Sequence, residues 1–188
     1  MKLIFTLLLT LWSVAAGAQK LEGTFKADKE FEELANGYVE KILEGRALDF
    51  DVDMHVGLSL FFMSDSLTNL IIEVNAQVEK VNVDAAVTFM GTYKREGNRM
   101  VCQFDKDNMD VSVEHIESFD PEISQMLKDN EDMVYGVAEE KLAEVVAPHA
   151  DELFKATSYF RTYDILEQTE NTLRIRLEQG QEVNLARP

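Results

Sequence analysis

The sequence predicts a mainly β fold with a helical insertion (α+β), an antiparallel meander that forms a barrel or half-barrel. Three observations predict it. Apolar residues alternate with period two from Leu48 to Phe62, a glycine-turned hairpin lies between Val83 and Phe104, and helices are expected only in a segment near the N-terminus and a block that begins at Asp120. The helical block interrupts the strands and does not alternate with them, which argues against a parallel sheet.

At the N-terminus Lys2 precedes the apolar run Leu3 to Trp12, and Ala16-Gly17-Ala18 fits the small-x-small pattern of a signal-peptidase site. Residues 1–18 are expected to be a cleavable leader, because the apolar run is well short of the ~20 residues a spanning helix needs. The remaining 19–188 suit a single domain. The expected product is exported, periplasmic or extracellular, with no integral membrane segment after cleavage. Cys102 is the only cysteine, so packing must supply stability without an intrachain disulfide.

The first mature element reads as a helix, with Phe31, Leu34, Ala35, Tyr38, Val39 and Ile42 on one face, Asp28 as cap and Gly45 as stop. A strand follows, or two joined at Gly57: Leu48, Phe50, Val52, Met54, Val56, Leu58, Leu60 and Phe62 face a core, and Asp49, Asp51, Asp53 and His55 face water. Phe61 and Met63 make its far end apolar on both faces. Leu67 to Val81 would also line a helical face, but the β-branched and Asn content decides for a strand.

Val87, Phe89, Gly91 and Tyr93 lead into Glu96-Gly97-Asn98, and Met100, Cys102 and Phe104 return. Asp105 to Asp110 reads as a connection after that hairpin, its Asp and Asn residues serving turn geometry, and another strand is expected around Val111. Asp120-Pro121 caps and opens a helix with Ile123, Met126 and Leu127 on its apolar side. A second carries Met133, Val134, Val137, Leu142 and Val145 as far as Ala147, and a short turn holds Leu153 and Phe154. Strands return from Tyr159 to Glu167, at Leu173, Ile175 and Leu177, and at Val183 and Leu185, making seven or eight in all.

The order of these features resembles the lipocalin-like domains of uncharacterised exported proteins from Gram-negative bacteria. The resemblance is carried by Leu60-Phe61-Phe62-Met63-Ser64-Asp65-Ser66, the Gly91-Thr92-Tyr93 to Gly97-Asn98 hairpin, the two helices, and Tyr163-Asp164-Ile165-Leu166 followed by Asn171-Thr172-Leu173. It implies a lipocalin-like barrel or half-barrel. True lipocalins carry Gly-x-Trp near the mature start, where this chain has Glu22-Gly23-Thr24-Phe25.

Charge excludes some functions. Asp and Glu number 35 against 18 Lys and Arg, a net charge of −17 that becomes −18 when Lys2 leaves with the leader. No basic stripe exists to release counterions, so no nucleic acid is expected as a partner. Asp49, Asp51, Asp53 and His55 share a strand face, but same-face neighbours lie ~7 Å apart, too far for all to hold one calcium ion. Asp105 to Asp110 lacks the glycine and ligand pattern of a calcium loop. The three histidines stand at no zinc spacing.

No metal, cofactor or catalytic group is expected, and the reading is non-enzymatic. Cys102, in register with Met100 and Phe104, reads as a small buried apolar residue. The leading expectation is a small apolar or amphipathic ligand held in the curved sheet at Phe50, Val52, Met54, Leu58, Leu60, Phe62, Phe89 and Tyr93. The alternative is an interaction module that docks an envelope protein through its Asp-lined strand or its two-helix insertion. Where an exposed apolar patch lies, in a concave mouth or on the outer helix surface, discriminates them.

Overall fold

A computed structural model describes residues 21–29, 31, 33, 52–63 and 66–188. Eight antiparallel strands run in sequence order and close on themselves: β1 (Gly23–Ala27), β2 (Val52–Phe62), β3 (Leu67–Val78), β4 (Val81–Glu96), β5 (Arg99–Ser118), β6 (Thr162–Gln168), β7 (Thr172–Leu177) and β8 (Glu182–Ala186). Between β5 and β6 come α1 (Pro121–Asp129), α2 (Glu131–Val146) and the short α3 (Ala150–Ala156). The mainly β, antiparallel reading with helices before the last strands therefore holds. The leader, most of the N-terminal helix, and Leu48 to Asp51 lie outside the described residues.

Closure depends on β1, which the sequence reading missed. Lys26 pairs with both Ser59 of β2 and Ala186 of β8, joining the first and last long segments of the sheet. In five residues only Phe25 and Ala27 are buried, so the alternation is too short to announce a strand.

The closed ring uses only one end of the long strands. β1 meets only the Ser59 to Phe62 end of β2, and β6 meets only Arg99 to Val101 of β5. β2, β3, β4 and β5 remain paired with one another well past those points. They continue as a four-stranded sheet with β2 at one side and β5 at the other, β5 being the side that the helical block follows.

Helices guard part of that side. The Ile116 N–H donates to the Tyr135 hydroxyl of α2 at 3.1 Å, and Lys106 pairs with Asp151 of α3. At the tip, Lys80 in the β3–β4 turn pairs with Asp120 at 2.6 Å, and Asp120 accepts the Glu122 and Ile123 N–H groups as the N-cap of α1. The Lys80 ammonium first, then the two backbone donors, hold the Asp120 carboxyl below its usual range.

The inner face carries the core. Phe25, Leu60, Phe62, Leu70, Phe89, Met100, Tyr163, Leu173, Ile175, Leu177, Val183 and Leu185 are buried within one cluster. Edge-to-face rings link Phe25, Phe62 and Tyr93, with centroids 6.1 and 5.4 Å apart. Burying each such side chain stabilises the fold by about 1.5–3 kcal/mol.

Candidate binding surfaces

Of the eight residues expected to line a ligand site, Leu58, Leu60, Phe62 and Phe89 are buried in this core and Tyr93 is half-buried against it. Val52 and Met54 lie on β2, where only their backbone is described, and Phe50 lies outside the described residues. The structure thus brings Leu58, Leu60, Phe62, Phe89 and Tyr93 together, as neighbours that fill space with one another.

Cys102 is buried as its register implies. Its thiol faces the Tyr163 hydroxyl at 3.8 Å, and burial pushes its pKa up to about 11. A thiol so raised carries little thiolate at neutral pH. Tyr163 is raised well above its ordinary value, first by its own burial and then by Cys102.

The Asp105 to Asp110 stretch does not end a strand as expected. Phe104 pairs with Gly91 and Met109 with Phe89, so Asp105 to Asn108 bulge from a continuous β5 opposite the single residue Met90. Asp105 holds the bulge, accepting the Asp107 N–H at 3.0 Å and the Asn108 amide at 2.8 Å.

Beside this bulge the two strands touch. A Cβ on Gly91 would stand 2.3 Å from the Gln103 carbonyl oxygen. The outer face opens there into a groove of about 820 Å³ lined by Leu67, Met90, Val101, Asp105, Asn108 and Arg161 among others. Leu67 and Met90 are 47% and 42% exposed, whereas Phe89, the residue before Met90 and on the opposite face of β4, is at 0%.

The helical block presents exposed apolar side chains of its own. Phe119, Met126, Met133, Val137 and Val145 are exposed by 68, 55, 64, 52 and 46%. The sequence reading put Met126 on the apolar side of the first helix and named Met133, Val137 and Val145 among the apolar residues of the second without assigning them a face. In α2 the row Val134, Ala138, Leu142 and Val146, with Tyr135, turns inward, and Met133, Val137 and Val145 belong to the next row. Both rows are apolar at helical spacing, so periodicity alone could not choose between them.

A third surface is polar. On the outer face of β1–β3, Glu73 accepts from Lys26 at 2.7 Å and from the fully buried Ser59 hydroxyl at 2.6 Å, above a glycine at position 57. The carboxylate's oxygens are met from within the chain. Among the described residues no cluster of His, Cys, Asp and Glu could hold a metal ion, and no helix is long and apolar enough to cross a membrane.

Sequence reasoning missed Leu67, Met90 and Arg161 as surface groups. The alternation that turns Leu70 and Phe89 inward turns Leu67 and Met90 outward, but nothing in the sequence marks them as parts of one groove. No family model matches the chain, and neither does any curated protein or solved structure.

Proposed function

We propose that this chain is an exported, non-enzymatic interaction module that docks a basic amphipathic segment of an envelope protein on the outer surface of its helical insertion. The observation that carries this reading is the exposure of Phe119, Met126, Met133, Val137 and Val145 in one block of chain. Exposed apolar residues gathered in this way mark interaction surfaces. Charge supplies the partner's character: positions 121–156 hold nine carboxylates against three lysines. Apolar anchors ringed by acid suit a helix with an apolar stripe flanked by Lys or Arg.

A synthetic Leu/Lys amphipathic helix is the probe, titrated by calorimetry at physiological salt. The wild-type chain is expected to bind it, and Met133→Ser with Val137→Ser to weaken binding by about tenfold or more, since burying such side chains is worth roughly 1.5–3 kcal/mol each. The exchange leaves every charge in place. Equal affinity for both proteins would mean that charge alone attracts the peptide, and the reading would fall.

A second reading, a small apolar or amphipathic molecule held on the curved sheet in a lipocalin-like manner, is favoured by the open groove at the Gly91 crossing. A ligand inside the closed half would have to displace Leu60, Phe62 and Phe89 from one another, so the outer groove is its better place.

A further inference from the structure

Sulfur is unevenly placed in this chain. Among the described methionine side chains, Met100 is fully buried in the core, Met63 and Met109 are half-buried, and Met90, Met126 and Met133 are exposed. Met133 and Met126 are the two most exposed, ahead of Met90. Both belong to the helical insertion, Met126 in α1 and Met133 in the first turn of α2. The one thiol, Cys102, is buried.

These two thioethers are thus apolar anchors of the surface assigned above to a partner, and also the sulfur atoms that solvent reaches most easily. Phe119, Val137 and Val145, which share that surface, contain no sulfur. Asp129, Glu131 and Asp132 stand between the two methionines in the chain, and their charge does not repel an oxidant that is itself neutral.

We propose that Met126 and Met133 form a modification site for hydrogen peroxide, and that their oxidation switches docking off. The inference rests on the docking reading above and adds its regulation. A thioether lone pair attacks one peroxide oxygen, the S–O bond forms as the O–O bond breaks, and the departing hydroxide takes the proton of the transferred oxygen to leave as water. Sulfur is oxidised to the sulfoxide and the peroxide is reduced. The product is polar where an apolar side chain stood, so an apolar stripe laid on it must strip water from the new oxygen without replacing its hydrogen bonds. Sulfoxide reductases reverse the step, which makes the loss a switch and not a lesion.

The chain is exposed to hydrogen peroxide for graded times and the peroxide is removed. Sulfoxide at each methionine is counted by peptide mass spectrometry, and the sulfur-free Leu/Lys helix is titrated by calorimetry. Met126 and Met133 are expected to oxidise ahead of Met63, Met100 and Met109. Affinity should fall about tenfold or more as they do, the loss expected when a buried apolar anchor is forfeited. Methionine sulfoxide reductases should restore it. Met126→Leu with Met133→Leu, judged against its own untreated affinity, should hold that affinity through the same treatment.

Unchanged affinity in chains that carry both sulfoxides overturns the switch and leaves the docking reading standing. A loss that the reductases do not reverse, that follows sulfoxide at Met100 instead, or that the doubly substituted chain shares, overturns it as well. Failure of the untreated chain to bind the helix removes the docking reading, and the switch with it.

Discussion

Phe89→Ala should destabilise the fold by about 3–5 kcal/mol, the range for emptying a buried phenylalanine site. Phe89 has no exposed surface and stands opposite Leu70 on β3 and Met109 on β5. Its ring also supports Phe154 of α3. The loss is therefore expected in two places, as a lower denaturant midpoint for the whole chain and as earlier release of α3 in hydrogen exchange. Met90→Ala, one residue along and 42% exposed, should stay within about 0.5 kcal/mol of wild type. Similar losses in both variants would contradict the assignment of inner and outer faces on β4.

Gly91→Ala is the second large effect, and it comes from one methyl group. The new Cβ would meet the Gln103 carbonyl oxygen at 2.3 Å, with the Gln103 carbonyl carbon and Phe104 Cα at 2.9 Å. All three are backbone atoms, so no rotamer change relieves the contact and β4 must part from β5. A cost of roughly 3 kcal/mol or more is expected, at the upper end of overpacking. Gly136→Ala supplies the opposite sign: nothing lies within 4 Å of its Cβ position, and the site is inside α2. Helix propensity alone should stabilise that variant by about 0.5–1 kcal/mol. Chemical denaturation of the two variants against wild type checks both.

These contrasts show what could be read from residues alone. Strand β2 and the hairpin of β4 with the first part of β5 announced themselves by alternation, as in Val56, Leu58 and Leu60 against His55, Gly57 and Ser59, whereas β3 had to be decided by its β-branched and Asn content. The start of α1 was legible because Asp120 and Pro121 carry a local chemistry that tertiary contacts did not override. β1 was not, because five residues offer too little alternation and its partners, Ser59 to Phe62 and Ala186, are far away in sequence.

The bulge at Asp105 to Asn108 was read as a break because its polar residues do make a turn, but the turn sits within a strand that continues on the other side. The candidate surfaces were harder still. Met133 and Val134 are adjacent and equally apolar, and only the placement of Tyr135 against Ile116 decides which of them faces in.

The central claim is that the chain fills its own sheet and binds on its outside. Methyl chemical-shift mapping during titration with the Leu/Lys helix tests it most directly. The account predicts that the peptide moves Met126, Met133 and Val137, while Leu60, Leu70, Ile175 and Leu185 stay still. Shifts centred on those four interior methyls would contradict it.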